Sequence, residues 1–305
     1  MPKNKSLYQQ TMQPWPPIAK YAKYIQLQNI ELDLFYYEAG SHHEQVLIML
    51  HGLGDETDTW RHVFLPISEH YHTFAIDLPG FGRSDKPDVD YTPEFMINVV
   101  VELLAQLKIN KAILLGSSLG GILAHGLAIF HPERVKGLIL VGGALLQTEP
   151  IQDRGIRLMR VPLLGEWLYT RLRKDPDAAY ASLSNVYHQL EKLPEKDRKF
   201  LYNRVNQRVW TDGQRRAYLS TLRNLSPWIK NFQAQMPDLL SNLKVPTLII
   251  RGEYDQLFSD TSAKELVKIQ PRAKSVVLPN VGHLPHQENP EVFLQEIRAS
   301  LNIFS

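Results

Sequence analysis

The 305-residue chain has no cysteine and no long hydrophobic run. Without cysteine it can have no disulfide, no thiolate metal site and no cysteine nucleophile, so any catalysis must use other groups. No stretch approaches the roughly 18 consecutive apolar residues of a membrane-spanning helix, and the N-terminal stretch lacks the apolar core of a secretory signal. We therefore expect a cytoplasmic protein, although the lack of cysteine also fits other compartments.

The chain also lacks a strong charge of either sign. Its 34 Lys and Arg against 32 Asp and Glu give a formal net charge of +2, and no zinc-knuckle, RRM or basic-arm pattern accompanies them. The sequence thus predicts no nucleic-acid partner. Its 44% hydrophobic and 22% charged residues are typical of a folded globular protein rather than a disordered one.

Apolar runs and helical patterns alternate along most of the chain. Residues 23–40 alternate apolar and polar side chains, which predicts an antiparallel hairpin with Asn29 near its turn. Later runs are continuously apolar, as parallel strands covered on both faces are. These runs cover residues 45–52, 71–80, 111–118, 135–143, 245–255 and 274–280. The order predicts an α/β fold with a doubly wound, mostly parallel sheet and N-terminal antiparallel strands.

The alternation stops between residues 144 and 235, where helical patterns are interrupted by prolines and no strand pattern occurs. We therefore predict a core of residues 1–143 and 236–305 and an inserted α-helical cap at 144–235. Residues 151–231 contain 16 Lys and Arg against 8 Asp and Glu, a local balance of +8. This basic surface is either a solvated outer face or a contact with anionic substrates or membrane head groups.

One glycine-rich stretch has the pattern of a nucleophile turn. In Gly116-Ser117-Ser118-Leu119-Gly120 the first, third and fifth residues fit G-x-S-x-G, between an apolar run and a helical pattern. A serine on such a turn has a strained backbone, and side chains two residues to either side would collide across it. Ser118 is therefore the candidate nucleophile, and Ser117 is its neighbour.

A serine nucleophile needs a base, and the base needs a carboxylate that holds it in the right tautomer. His283 follows the last apolar run on a glycine-containing loop, and Asp255 ends the run before it. Both lie at strand ends, where doubly wound sheets bind ligands. We predict His283 as base and Asp255 as orienting acid, in the chain order Ser, Asp, His. The weaker candidates are His286, His125 and His131 for the base and Glu253, Asp260 and Glu149 for the acid.

The oxyanion of the transition state needs two N–H donors. We predict the backbone of Leu119, directly after the nucleophile, and that of Leu53 in the loop after the first parallel strand, with His51 fixing this loop by hydrogen bonding. The same loop lacks the third glycine of a dinucleotide fingerprint, and the sequence has no metal-ligand spacing. Neither a cofactor nor a metal is therefore predicted.

Together these motifs resemble the α/β-hydrolase fold family, in its serine-triad branch with a helical cap. The motifs are LHGLGDETDTW, IDLPGFGRSDKP, LLGSSLGG, LIIRGEYDQLF and LPNVGHLPHQENPE, in that order. The resemblance implies an esterase-like or lipase-like enzyme. It also implies a nucleophile at Ser118, a base at His283, an acid at Asp255 and oxyanion donors at Leu53 and Leu119.

Ser118 narrows the chemistry further, because haloalkane dehalogenases and epoxide hydrolases of this fold carry aspartate at that position. Cleavage of carboxylic esters, lipid or acylglycerol esters among them, through an acyl-enzyme is the leading hypothesis. C–C bond hydrolases of ring-cleavage products, cofactor-free haloperoxidases and cap-bearing aminopeptidases share the serine triad, and some members only bind ligands or act as scaffolds. We expect a substrate with an apolar acyl group. The Leu, Trp and Tyr residues at helical spacing in the cap most simply pack it onto the core. The alternative hypothesis is that Trp167, Trp210 or Trp228 lines an acyl pocket.

Overall fold

A computed structural model describes residues 12–146 and 154–304. Within these ranges the strands are β1 (Ala22–Leu27), β2 (Leu32–Ala39), β3 (Val46–Leu50), β4 (His72–Ile76), β5 (Ala112–Ser117), β6 (Val135–Val141), β7 (Thr247–Gly252) and β8 (Ala273–Leu278). The α-helices are α1 (Phe64–Ser68), α2 (Pro93–Gln106), α3 (Leu119–Phe130), α4 (Arg154–Met159), α5 (Leu164–Leu172), α6 (Pro176–Ala181), α7 (Glu195–Trp210), α8 (Asp212–Asn231), α9 (Met236–Ser241), α10 (Asp260–Ile269), α11 (Pro285–Glu288) and α12 (Pro290–Ser300).

The eight strands form one sheet in the order β1-β2-β4-β3-β5-β6-β7-β8. The pairs β1/β2 and β2/β4 are antiparallel, and every later pair is parallel. The predicted fold class is therefore confirmed, including the N-terminal hairpin, whose turn lies at residues 28–31. None of the described helices has the length and hydropathy to cross a bilayer.

Two apolar layers cover the sheet, one on each face. Alternate residues of β3 enter different layers, since Ile48 packs with one buried cluster and Met49 with the other. The first layer is formed with α2, α3 and α10, and the second with α1 and α12. Strands that are buried on both faces have no polar side to alternate with, which explains their continuously apolar sequences.

Local sequence signals fix several helix ends. Thr92 accepts a hydrogen bond from the Phe95 N–H at 3.1 Å and so caps the start of α2. The pattern over residues 58–70 predicts one helix, but the chain forms a 3-10 turn at Thr57–Trp60 followed by the short α1. Pro66 has no N–H for the carbonyl of His62, so a continuous helix through this segment would lack a hydrogen bond.

Every described element between β6 and β7 is helical, comprising α4 to α9 and two short 3-10 turns. This agrees with a helical insertion in the core. The division of the chain at residues 143/144 and 235/236 remains a prediction. Residues 147–153, at the start of the predicted cap, lie outside the described part of the chain.

A buried ionic network joins the cap to the core. Arg204 of α7 donates to Asp58 at 2.7 Å and lies 3.2 Å from a carboxylate oxygen of Glu56. Asp58 also accepts from Arg83 at 3.0 Å, and Arg83 pairs in turn with Asp77 at 2.8 Å. Burial alone would raise the pKa of Asp77, but the Arg83 guanidinium keeps this pKa below its usual range. The cap helix is thus bound to two core loops by charges that are paired inside the protein.

We predict that Arg204→Met lowers the free energy of unfolding by about 3–5 kcal/mol, because it leaves buried carboxylates without their partner. Arg198→Met on the same helix is the matched control. Its partly exposed pair with Glu191 should contribute less than about 1 kcal/mol. Urea-induced unfolding of both variants measures the difference. Equal losses would show that the buried network has no special role in stability.

Candidate active site

The backbone between β5 and α3 makes a strained turn at Ser118. This residue has φ 53° and ψ −115°, whereas a side chain normally keeps φ negative. The Ser118 N–H donates to the carbonyl of Val141 at 2.8 Å, so neighbouring β6 holds the turn in place. The strand, turn and helix that G-x-S-x-G requires are all present.

The two outer glycines of the motif are required by close backbone approach. A Cβ on Gly116 would lie 2.2 Å from the Gly120 carbonyl oxygen, and a Cβ on Gly120 would lie 2.1 Å from the carbonyl oxygen of Leu50. Both distances are too short for any side chain. The collision predicted from the sequence therefore accounts for both glycines.

The two adjacent serines occupy different environments. Ser117 is the last residue of β5 and is 1% exposed. Ser118 is partly exposed and lines a cavity above the carboxyl ends of the parallel strands. Of these two hydroxyls, Ser118 is the one that a substrate can reach.

His283 and Asp255 meet beside this cavity. His283 Nδ1 lies 2.9 Å from Asp255 Oδ1, and both side chains are almost fully buried. The same carboxylate oxygen accepts the N–H groups of Leu257 at 2.9 Å and Phe258 at 3.0 Å, which fix its position. A carboxylate can only accept, so Nδ1 carries the proton and Nε2 is left with a free lone pair. His283 also lines the cavity that contains Ser118.

The loop after β3 passes directly over Ser118. A Cβ built on Gly52 would lie 3.3 Å from the Ser118 Cβ. His51 Nε2 accepts the Leu78 N–H at 2.9 Å, so Nδ1 is the protonated nitrogen and donates to the Gly52 carbonyl at 2.8 Å. The predicted fixing of this loop by His51 agrees with these contacts. Leu53 and Leu119 both line the cavity, and their role as oxyanion donors remains a prediction.

The cavity has a volume of about 210 Å³ and is mostly apolar. Core and cap both contribute to it. Its apolar lining comprises Leu53, Leu119, Ile122, Ala144, Ile156, Leu183, Val186, Leu201, Leu222, Leu225, Leu257, Phe258 and Leu284, with the rings of Tyr187 and Tyr218. Its charged lining residues are Asp55 and Arg208.

Arg208 was not identified from the sequence, because its partners lie about 150 residues away in the chain. Its guanidinium donates to Glu56 at 2.6 Å and also to Asp55, both of which follow Leu53 in the loop over Ser118. Burial alone would lower the pKa of Arg208, but these carboxylates raise it above its usual value. The cap thus holds the loop after β3 by a paired charge rather than offering a free cation to the cavity.

The cap also contacts the loop that carries His283. The His283 N–H donates to the Val186 carbonyl at 3.0 Å, and Tyr187 donates to Gln287 at 2.8 Å. Glu288 accepts the Gly282 and His188 N–H groups, each at 2.8 Å. Both loops next to Ser118 are therefore held from the cap side.

The other candidate bases do not reach the cavity. His286 is buried and contacts Thr59 at 3.0 Å, and burial lowers its pKa well below the usual value. His125 accepts the Leu145 N–H at 3.3 Å, and burial lowers its pKa to about 4. His131 lies 3.7 Å from Glu133 near the surface. Neither His286 nor His125 contacts Asp255, as His283 does.

The alternative acids are also placed elsewhere. Glu253 accepts the Asn280 N–H at 3.0 Å in an exposed contact, and Asp260 pairs with Lys264 at 2.6 Å on the surface. Glu149 lies outside the described residues.

The alternative hypothesis of a tryptophan in the pocket lining is wrong, because none of the described lining residues is a tryptophan. Trp167 is 54% exposed, and Trp228 is buried against Phe130 and Phe232. Trp210 packs within the cap near Arg173. Helical spacing predicts that these rings pack the cap onto the core, which fits the buried Trp228 but not the exposed Trp167. Spacing alone cannot indicate which side of each helix faces the cavity.

Comparison with known proteins identifies the family. The family model of the alpha/beta hydrolase fold matches residues 45–290. The chain belongs to the alpha/beta hydrolase family. As a family member it is related to enzymes that hydrolyse quite different bonds.

Three relatives illustrate this range. One is 2-hydroxy-6-oxo-6-(2'-aminophenyl)hexa-2,4-dienoic acid hydrolase of Metapseudomonas resinovorans, 27% identical over 85% of this chain and 83% of that protein. Another is pimeloyl-[acyl-carrier protein] methyl ester esterase of Edwardsiella ictaluri, 28% identical over 85% of this chain and 94% of that protein. The third is the crystal structure of a bacterial membrane phospholipase A, 26% identical, with a TM-score of 0.70 over 93% of this chain and 86% of that one.

The buried His125 generates a prediction about pH. Its pKa is about 4 in the folded hydrolase and about 6.5 when unfolded, so the unfolded chain binds more protons between these values. Stability should therefore fall as the pH falls from 6.5 towards 4. Between pH 7 and pH 5 we expect His125 to contribute about 2 kcal/mol of that loss.

Urea unfolding at the two pH values, for the natural protein and His125→Asn, measures this contribution. The asparagine keeps an acceptor for the Leu145 N–H but does not titrate. We expect the variant to lose about 2 kcal/mol less than the natural protein between pH 7 and pH 5. The same pH dependence in both proteins would refute the assignment of the shift to His125.

Proposed function

We propose that this hydrolase cleaves carboxylic esters with an apolar acyl group through an acyl-enzyme. Ser118 is the nucleophile, His283 the base and Asp255 the acid that orients it. The observation that carries the proposal is the His283–Asp255 contact of 2.9 Å beside an apolar cavity that Ser118 also lines. A nucleophile on a strained turn and a base held by a carboxylate are the parts that acyl transfer needs.

The reaction follows from these positions. His283 Nε2 takes the proton of the Ser118 hydroxyl while Oγ attacks the ester carbonyl carbon. The carbonyl oxygen becomes negative, and the N–H groups of Leu53 and Leu119 are proposed to stabilise it. The C–O bond then breaks, His283 returns the proton to the departing alcohol, and an acyl-serine remains. A water molecule, activated by the same histidine, adds to the acyl carbon and releases the carboxylic acid and the free serine.

The lining of the cavity supports an ester rather than an acidic substrate. A substrate carboxylate buried there would need a cation, since an unpaired charge is costly to bury. Among the described residues that line the cavity the one arginine is Arg208, and it already pairs with Asp55 and Glu56. The apolar remainder suits an acyl chain, including one from a lipid.

Hydrolysis of a C–C bond is the second candidate, because one relative is named as the hydrolase of a dienoic acid. Both reactions use a serine triad, so the triad does not separate them. Because Arg208 is already paired, it is not free to bind the carboxylate of a dienoic acid, which favours an ester as substrate.

The first test is hydrolysis of p-nitrophenyl esters of graded acyl length. We expect turnover by the natural protein and a fall in kcat of at least about 10⁴-fold in Ser118→Ala, since loss of the nucleophile disables the triad. Ser117→Ala is the matched control, because its buried hydroxyl does not reach the cavity, and it should keep its activity. A 2-hydroxy-6-oxo-dienoate substrate is assayed in parallel.

Two results would contradict the ester proposal. One is full activity in Ser118→Ala. The other is turnover of the dienoate with no turnover of any ester, which would favour the C–C reaction.

Arg208 generates a separate prediction as a positioning residue. It holds the loop that carries Leu53, and oxyanion donors act in the transition state rather than in substrate binding. We therefore expect Arg208→Met to lower kcat by about 10- to 100-fold with a smaller change in KM, and Arg208→Lys to recover part of the loss.

Steady-state kinetics on one p-nitrophenyl ester gives both constants. Arg215→Met, at a partly exposed position on α8, controls for the loss of a cap charge. A change in KM alone would assign Arg208 to substrate binding instead of loop positioning.

A further inference from the structure

The segment from α4 to α5, residues 154–172, has an unusual number of exposed apolar side chains. We call it the α4–α5 hairpin. Leu158 and Val161 are each 47% exposed, Trp167 is 54% exposed and Leu163 is 83% exposed. Nine large hydrophobic residues of the described chain are strongly exposed, and these four lie within ten positions of one another. Such clustering indicates an interaction surface rather than scattered exposure.

The backbone of the hairpin presents this apolar surface at a tight turn. Leu163 has φ 66°, an unfavourable value for a leucine, and directly precedes α5. Gly165 permits the turn, because a Cβ there would lie 2.1 Å from the Met159 carbonyl oxygen. The turn therefore keeps a strained leucine outside the protein, where it contributes nothing to the core.

The charge around these side chains is positive. Arg154, Arg157, Arg160 and Arg171 are exposed on the same hairpin, and the Arg171 guanidinium lies 4.9 Å from the centre of the Trp167 ring. The single acid of residues 154–172 is Glu166, which pairs with Arg223 of α8 at 2.7 Å. The hairpin is thus an apolar surface bordered by arginines, with its one negative charge paired.

The hairpin is also next to the cavity. Ile156 of α4 lines the cavity that contains Ser118, two residues before the exposed Leu158. One short helix therefore faces the candidate active site and solvent at once.

We propose that the α4–α5 hairpin docks this hydrolase on anionic lipid bilayers, with Leu163 and Trp167 entering the head-group region and the arginines binding lipid phosphates. Charge complementarity selects this occupant, because apolar side chains among cations match the interface of an anionic membrane. The link to an acyl substrate rests on the proposed ester hydrolysis, but the docking itself does not.

The test measures binding to vesicles, using Ser118→Ala as the background so that lipid cannot be hydrolysed. Phosphatidylcholine vesicles that contain phosphatidylglycerol should bind this protein, as measured by co-sedimentation. Added salt should weaken the binding. We expect Arg154→Gln, Arg157→Gln and Arg160→Gln together to reduce the partition coefficient about 100-fold, at about fivefold per arginine. Leu163→Gln should reduce it further.

The matched control changes the same amount of charge at the opposite edge of the sheet. Lys111, Lys244 and Lys274 are exposed at the amino ends of β5, β7 and β8. Changing all three to glutamine should leave vesicle binding near that of the background protein. Equal losses in both triple variants would overturn the proposal, because net charge and not the hairpin would then determine binding.

Two further measurements separate docking from catalysis and from self-association. With Ser118 restored, the arginine variant should hydrolyse a soluble short-chain ester at the normal rate, so a failure of the proposed function would appear there and not in the vesicle assay. Sedimentation velocity without lipid should show no dimer that depends on the hairpin, so Leu163→Gln should not change the oligomeric state. Such a dimer would assign the hairpin to a second copy of this chain and overturn the proposal.

Discussion

The site depends on the left-handed backbone at Ser118. A serine in that conformation stands on a sharp turn between the strand and the helix that it joins, and here it lines the cavity. The conformation can persist only because β6 holds the Ser118 N–H and because Gly116 and Gly120 leave room for adjacent backbone. The favourable free energy of folding the buried parallel sheet therefore offsets the cost of the strained backbone at Ser118.

The remaining parts of the site are positioned relative to this turn by loops at neighbouring strand ends. The loop after β3 is held from the core side by His51 and from the cap side by Arg208. The His283 loop is held by Asp255 in the core and by Val186 in the cap. Because the same helical insertion holds both loops, the cap has a role in the geometry of the site in addition to lining its cavity. The α4–α5 hairpin lines the cavity through Ile156, and its exposed side chains have the composition of a contact surface.

The sequence predicted those features that local chemistry determines. Continuous apolar runs predicted the parallel sheet because buried strands cannot alternate, and the glycine spacing around Ser118 reflects contacts over a few residues. The interruption at residues 61–63, before α1, was missed because the hydrophobic spacing indicated one helix and the hydrogen bond that Pro66 cannot donate was not considered. Arg208 could not be found at all, since its partner Asp55 is 153 positions away and nothing local distinguishes it from other helix arginines. The residues that line the pocket could not be predicted for a similar reason. Helical spacing does not indicate which face of a cap helix, such as the one that contains Trp228, lies against the cavity.

The proposed function requires that Ser118 form a covalent intermediate, and trapping this intermediate tests the requirement directly. The protein would be treated with a fluorophosphonate, which reacts with activated serines by losing fluoride, and the adduct would be located by tandem mass spectrometry. We predict a single adduct on Ser118, absent in Ser118→Ala and retained in Ser117→Ala. An adduct on Ser117, or ester hydrolysis by a protein that forms no adduct at Ser118, would show that Ser118 is not the nucleophile.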